Sequence, residues 1–252
     1  LPENFAEGSE MSIKTAVIIG VGPERGIGAR LCSRFARAGL HVFVAGRTRS
    51  KVEAVAQAIR QSGGSATAIE ADTTDEATVV ALFAAAEAVG PVDLAVFNAG
   101  NNMPGDFLSM TAAYFEQCWR IACFGGFLFS REALRAMAPR GRGTLLFTGA
   151  SASLRGKPFF SAFTAAKAGL RALAQSLARE FGPKGIHVAH VVIDGAVDGE
   201  RIHLGRPEIA QLKGDQGLVD IEGIVDLYEF LYRQPPKAWS HEFDVRTAVE
   251  AF

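Results

Sequence analysis

Several things are scarce in this chain, and each scarcity removes a class of function. Its 252 residues include only three cysteines, Cys32, Cys118 and Cys123, with no Cys-x-x-Cys spacing. They read as free thiols of a reducing compartment, neither a disulfide framework nor a ligand set. The five histidines are scattered, without the close pairing a zinc site usually shows, so no metal is expected. Charge of one sign is also lacking: the formal net charge is −1, which gives no electrostatic footprint for nucleic acid or an anionic membrane. No uninterrupted apolar run approaches the length that crosses a bilayer, and no repeat or low-complexity segment interrupts the chain. Residues 1–10 are acidic, lack an apolar signal core and precede Met11 directly. They read as an expression leader before one domain over residues 11–252, with a cytoplasmic setting as the default.

What is present is a regular alternation. Apolar residues make up 48% of the chain and charged residues 21%, and a chain of this length buries roughly 70–75% of the surface it exposes when unfolded. Short β-branched runs at residues 15–19, 41–45, 66–71, 94–97, 144–147 and 188–193 predict strands. Between them, residues 26–38, 50–60, 76–89, 111–137 and 160–181 carry helical spacing; Ile27, Leu31 and Phe35, for example, lie four apart. A final strand is expected at 241–245. Unbroken apolar strands alternating with helices imply a parallel sheet covered on both faces. That is an α/β, doubly wound, Rossmann-type fold, whose ligand crevice lies beyond the carboxyl ends of the strands. Residues 199–217 are rich in glycine and charge with weak periodicity, and read as a mobile flap over that crevice.

The first strand runs into Gly20-Val21-Gly22-Pro23-Glu24-Arg25-Gly26-Ile27-Gly28 and then the first helix. Glycines in this place allow a tight turn and bring backbone close to a pyrophosphate at a helix start. The bland alternative is a strand–helix turn without a ligand. The second strand ends Val44-Ala45-Gly46-Arg47, with no acid where an NAD site usually has one. Two guanidiniums, Arg25 and Arg47, and no carboxylate suit a 2′-phosphate, which points to NADP rather than NAD. Otherwise both arginines are solvated surface residues.

With these motifs in order, the chain resembles the short-chain dehydrogenase/reductase family over nearly all of residues 13–246. Gly22-x-x-x-Gly26-Ile27-Gly28 is similar to its glycine motif, with Val21 where threonine is common. Asp72 matches its adenine-contacting aspartate, Asn98-Ala99-Gly100 its Asn-Ala-Gly motif, and Lys167 the lysine that holds the nicotinamide ribose. Gly195 and Val197 follow the sixth strand where the family contacts the nicotinamide end. The departures gather on the chemistry. The family's substrate-orienting serine falls on Ala150, with Ser151 and Ser153 nearby. Its tyrosine acid falls on Phe163, its relay asparagine on Ala122, and its Pro-Gly on Asp194-Gly195. The threonine beyond falls on Gly199. The resemblance therefore implies cofactor binding and leaves the proton step without its usual donor.

Candidates for that step remain open. Lys167 is either a ribose ligand or also catalytic. Ser151 and Ser153 either orient substrate or satisfy a turn. Asp194 is either a proton donor or carboxamide partner, or a turn former. His190 reads as a satisfied core histidine, and Tyr114 as a packing residue. Phe159, Phe160 and Phe163 would make the substrate pocket apolar, or pack in the core. The function expected is an NADP(H)-dependent oxidoreductase moving hydride to or from a small apolar-bodied molecule. An imine, iminium or activated alkene suits a site with no strong acid. The contrasting expectation is a catalytically silent NADP-binding sensor, or a regulatory or assembly subunit. The helices at 111–137 and 160–181 are apolar on more than one face. In the family such helices form the subunit interface, so a homodimer or homotetramer is expected, with a second interface near the last strand.

Overall fold

The structure is a computed structural model describing residues 13–100 and 102–250. The leader proposed for residues 1–10, and Met11 after it, lie outside the described residues.

In chain order the elements are β1 (Thr15–Ile19), α1 (Ile27–Arg37), β2 (His41–Gly46), α2 (Arg49–Gln61), β3 (Ser65–Glu70), α3 (Glu76–Val89) and β4 (Val92–Phe97). There follow α4 (Ala112–Trp119), α5 (Gly125–Met137), β5 (Gly143–Thr148), α6 (Ser161–Phe181) and β6 (Ile186–Asp194). The chain continues through β7 (Ala196–Val197), α7 (Glu200–His203), α8 (Pro207–Lys213), β8 (Leu218–Val219), α9 (Ile221–Arg233) and β9 (Glu242–Arg246). Seven strands form one sheet in the order β3-β2-β1-β4-β5-β6-β9, every neighbouring pair parallel. This is the Rossmann-type fold the alternation predicts.

Strand alternation divides the core. Ala16 and Ile18 of β1 face a cluster with Leu31 and Phe35 of α1, Val52 of α2 and Tyr228 of α9. Val17 and Ile19 face the other way, onto Phe83 of α3, Phe129 of α5 and Leu170 of α6. Each large side chain so buried contributes about 1.5–3 kcal/mol. Because β1 sits between β2 and β4, the loops after β1 and β4 diverge, and a crevice opens at their carboxyl ends.

Three elements differ from the sequence expectation. The single helix expected at 111–137 is interrupted by a π-helical turn, Arg120–Phe124, between α4 and α5. Such a turn depends on packing rather than on a residue preference. Helix α9 had no counterpart in the expected elements, although Asp220 caps it by accepting from the Gly223 N–H and its buried residues include Ile221, Ile224, Val225, Tyr228 and Leu231. Arg34 of α1 holds it through Glu222, Asp226 and Glu229. The 199–217 segment, expected as a mobile flap without regular elements of its own, contains α7 and α8, neither with a buried residue. It meets the rest of the chain where Glu200 N donates to the Arg25 carbonyl (3.1 Å), where Arg201 reaches the Asn102 carbonyl (3.3 Å) and where Lys213 meets Glu250 (2.5 Å).

Candidate active site

The crevice is built from the ends of β1, β4 and β5. Gly20 closes β1 at φ 87°, and a Cβ there would lie 2.5 Å from the Ala99 nitrogen, so only glycine lets the two loops touch. A Cβ on Gly22 would meet nothing within 4 Å, so this stretch of backbone borders open space. Gly26 is the N-cap of α1, and Gly28 packs against Val21 and Asn98. The first turn of α1, beginning at Ile27, holds no acidic side chain, so the positive end of the helix is uncompensated.

Asn98 joins this loop to the middle of the sheet. Its Nδ2 donates to the Gly20 carbonyl (3.2 Å), and its Oδ1 accepts from Thr148 Oγ1 (3.0 Å). Thr148 Oγ1 also lies 2.6 Å from the hydroxyl of Tyr228. Thr148 has one proton, already given to Asn98, so Tyr228 is the donor in that pair. Burial raises the Tyr228 pKa far above its ordinary value, which keeps the phenol protonated for this task. Neither Thr148 nor Tyr228 figures among the residues expected from sequence; a lone hydroxyl ending an apolar strand was the only local signal.

Lys167, on α6, is 4% exposed and donates to the carbonyls of Thr148 (2.7 Å) and Ala99 (3.4 Å). Desolvation pushes its pKa down to about 8. Two of its three hydrogens are used, leaving one for a ligand. Gly100 lies beside it: a Cβ there would be 3.2 Å from Nζ. Phe163 stands one helical turn earlier, 7% exposed, with its ring centroid 5.9 Å from Nζ. Phe163 thus offers the buried ammonium a ring with no exchangeable proton.

The strand-end residues divide into engaged and available. Ser153 is buried, and its Oγ accepts from the Ala150 N–H (3.2 Å), the turn-satisfying alternative. Ser151 is half-buried and its hydroxyl makes no hydrogen bond among the described residues. Phe160 is the half-buried N-cap residue of α6, while Phe159 is exposed at φ 70° with its carbonyl accepting from Gly105 (2.8 Å). Tyr114 does more than pack, since its hydroxyl donates to the Met103 carbonyl (3.0 Å).

Asp194 is buried and paired with two guanidiniums, Arg155 at 2.7 and 2.9 Å and Arg246 at 3.3 Å. His190 is only half satisfied: Nδ1 lies 3.0 Å from Glu242, and Nε2 has no hydrogen-bond partner among the described residues. Burial lowers its pKa to about 4, so it is neutral, with Nδ1–H donating to the carboxylate. Gly195 and Val197 follow β6; Val197 pairs with Val219 of β8 and packs on the core.

At the other end of the crevice, Arg47 and Asp72 line a recess of about 210 Å³ with Thr74, Glu116, Arg120 and Ile121 among its other walls. Asp72 Oδ1 accepts from the backbone and hydroxyl of Thr74, both at 2.8 Å. Arg25 is exposed on the glycine loop but does not line this recess; the second guanidinium there is Arg120. The described residues contain no group of three or more histidine, cysteine or acidic side chains able to hold a metal ion. Cys32 and Cys118 are buried and Cys123 is half-buried, and none of the three forms a disulfide among the described residues. Among the described residues no helix is long and apolar enough to cross a membrane.

Known proteins bear on this geometry. A crystal structure of a short-chain dehydrogenase from Rhodopseudomonas palustris is similar at TM-score 0.80 and 37% identity, covering 92% of this chain and 98% of that one. The short-chain dehydrogenase/reductase eriH of Hericium erinaceus is 35% identical over 182 residues, 70% of this chain and 72% of its own length. A galactitol 2-dehydrogenase (L-tagatose-forming) of Cereibacter sphaeroides is 33% identical over 175 residues, 69% of this chain and 67% of its own. The family model described as short chain dehydrogenase matches residues 14–201, from the start of the sheet through the glycine loop, Asn98 and Lys167 to α7. The chain therefore belongs to the short-chain dehydrogenase/reductase family of NAD(P)-dependent oxidoreductases.

Proposed function

We propose that this chain is an NADP(H)-dependent oxidoreductase acting on a small substrate with an apolar body, by a proton route that does not use a tyrosine. The observation that carries the reading is the pair Phe163 and Lys167: a ring without a hydroxyl beside a buried ammonium whose pKa is about 8. The residues present fit a dinucleotide. Open space at Gly22 leaves room along the glycine loop, Lys167 has a hydrogen to give, and the Arg47 recess lies at the far end. Gly22, Gly26, Ile27, Gly28, Asn98, Ala99, Gly100, Lys167, Gly195 and Val197 would hold the pyrophosphate, ribose and nicotinamide; Asp72 would hold the adenine, and Arg25 and Arg47 the 2′-phosphate. The bound nicotinamide supplies the hydride chemistry.

The chain's own groups then set the substrate. Lys167 changes charge close to neutral pH, and Ser151 keeps an uncommitted hydroxyl, so these two are the proton-handling candidates. Ala150, Ser151, Ser153, Phe160 and Phe163 give a largely apolar pocket. A developing alkoxide would find no phenol there, whereas an imine, iminium or activated alkene takes its proton from solvent or from a weak donor. A silent NADP-binding subunit is the second reading, favoured by the same missing hydroxyl. Titration with NADPH, followed by NADPH oxidation across ketones, aldehydes, imines and activated alkenes, separates the two. Turnover of the nitrogen or alkene substrates supports the first, binding without any turnover supports the second, and brisk ketone reduction sinks both.

A homodimer or homotetramer belongs to the same proposal. An apolar groove of about 320 Å³ lies between α5 and α6, with Phe127, Leu134, Leu173 and Leu177 in its walls. Trp119, Phe124 and Phe127 continue it as a row of neighbouring rings.

A further inference from the structure

Arg120 is accounted for by none of the groups described so far. It opens the π-helical turn after α4, and its side chain lines the recess shared by Arg47 and Asp72. Its guanidinium carbon lies 4.9 Å from the centre of the Phe124 ring. It makes no ion pair among the described residues. A half-buried guanidinium held on an aromatic face and turned into a recess, without a carboxylate partner, is arranged for a ligand.

The charges of the recess say what kind. Arg47 and Arg120 share its walls with Asp72 and Glu116, so the recess is polar without a net charge of its own. Such walls suit a flat neutral heterocycle with donors and acceptors on its edge. Asp72 Oδ1 is taken by Thr74, while Oδ2 makes no hydrogen bond among the described residues and remains able to accept from an exocyclic amine. Ala113, Gln117 and Arg120 recur at helical spacing along the wall, with Ile121 adding apolar surface.

We infer that Arg120 is a base-recognising residue: its planar guanidinium, supported on one side by Phe124, presents its other face to the adenine ring of the dinucleotide. The inference rests on the dinucleotide reading above, in which the base lies beside Asp72, and adds Arg120 to that site, leaving the 2′-phosphate to the exposed Arg47 and Arg25. Stacking needs a plane rather than a charge, so lysine is no substitute here.

The test is a set of binding titrations, which need no substrate. NADPH, NADH and 5′-AMP are titrated against the unmodified chain, Arg120→Ala, Arg120→Lys and Arg47→Ala, with a melting curve of each ligand-free variant as the check on folding. Arg120 makes no ion pair among the described residues, so its variants should melt close to the parent. Arg120→Ala should weaken NADPH and NADH alike, by roughly tenfold, the weight of one stacked base, and weaken 5′-AMP too. Arg120→Lys should lose as much. Arg47→Ala should weaken NADPH alone. The inference is overturned if Arg120→Ala leaves both dinucleotides within about twofold of the parent, if it weakens NADPH only, or if Arg120→Lys binds as the parent does. Failure of the unmodified chain to bind either dinucleotide would instead remove the reading beneath it.

Discussion

The hydroxyl of Tyr228, on α9, sits 2.6 Å from Thr148 Oγ1 at the end of β5, and through it orders Asn98 and the glycine loop. A residue 80 positions away in sequence thus sets the orientation of a crevice amide. Tyr228→Phe keeps the ring in its core cluster and deletes one buried hydrogen bond. The expected loss is about 1–2 kcal/mol of stability, read as a lower denaturant midpoint at unchanged slope. NADPH affinity should fall as well, because the Asn98 amide loses the partner that fixes Thr148. An unchanged midpoint together with unchanged affinity would show that the hydroxyl pair contributes nothing.

Local pattern makes most of the sheet legible in the sequence, since a central parallel strand must be apolar on both faces and β1, β5 and β6 are buried throughout. The glycine loop is equally legible, because its geometry restricts residue type. Helix α9 was legible too: Asp220 and the spacing of Ile221, Ile224, Val225, Tyr228 and Leu231 form an ordinary capped amphipathic helix. What local pattern cannot encode is the Thr148–Tyr228 pair, the π-helical turn, and the capture of Asp194 by Arg155 and Arg246. Each depends on segments brought together only by the fold. Arg120 is of the same kind, an ordinary helix arginine until the recess is seen.

Lys167 should leave a signature in the pH dependence of stability. Its folded pKa, about 8, lies below the ordinary lysine value of 10.5. Between these values the unfolded chain holds a proton that the folded chain has released, so stability from this group rises with pH across the window. Below about pH 8 both states are protonated, and the burial penalty is constant. From pH 8 to 9.5 the gain should be on the order of 1.5 kcal/mol. Urea unfolding at several pH values should show this rise in the parent and its absence in Lys167→Met. A parent curve that is flat or falling over the window, with the variant parallel to it, would count against a depressed lysine.

Self-association should depend on the α5–α6 groove. Phe127 is 43% exposed in the isolated chain, so Phe127→Asp removes little from the monomer's own core. Sedimentation at micromolar concentration should show a dimer or tetramer for the parent and a smaller species for the variant, with far-ultraviolet circular dichroism unchanged. A parent that is monomeric at every concentration would remove the groove as an interface.

The proton route is tested by putting hydroxyls back. Phe163 lies beside Lys167 and Gly100, and Ala150 follows the end of β5, the two positions where the family resemblance implies a tyrosine and a serine. Phe163→Tyr restores a phenol near the buried ammonium, which would lower the pKa of that phenol by stabilising its anion. Acid–base help of this type is worth about two to four powers of ten in rate. Groups acting as one unit do not contribute independently, so the single change should raise ketone reduction only slightly, and Phe163→Tyr with Ala150→Ser should raise it by more than the product of the two single effects. Imine or activated-alkene reduction should respond much less, since it does not need that acid. NADPH oxidation measured over both substrate groups for the parent, the two single variants and the double variant decides the matter. Equal gains on ketones and imines would mean that the hydroxyls act on cofactor or substrate binding and not on proton delivery. High ketone turnover by the parent, insensitive to changes at Lys167 and Ser151, would place the proton donor elsewhere in the crevice.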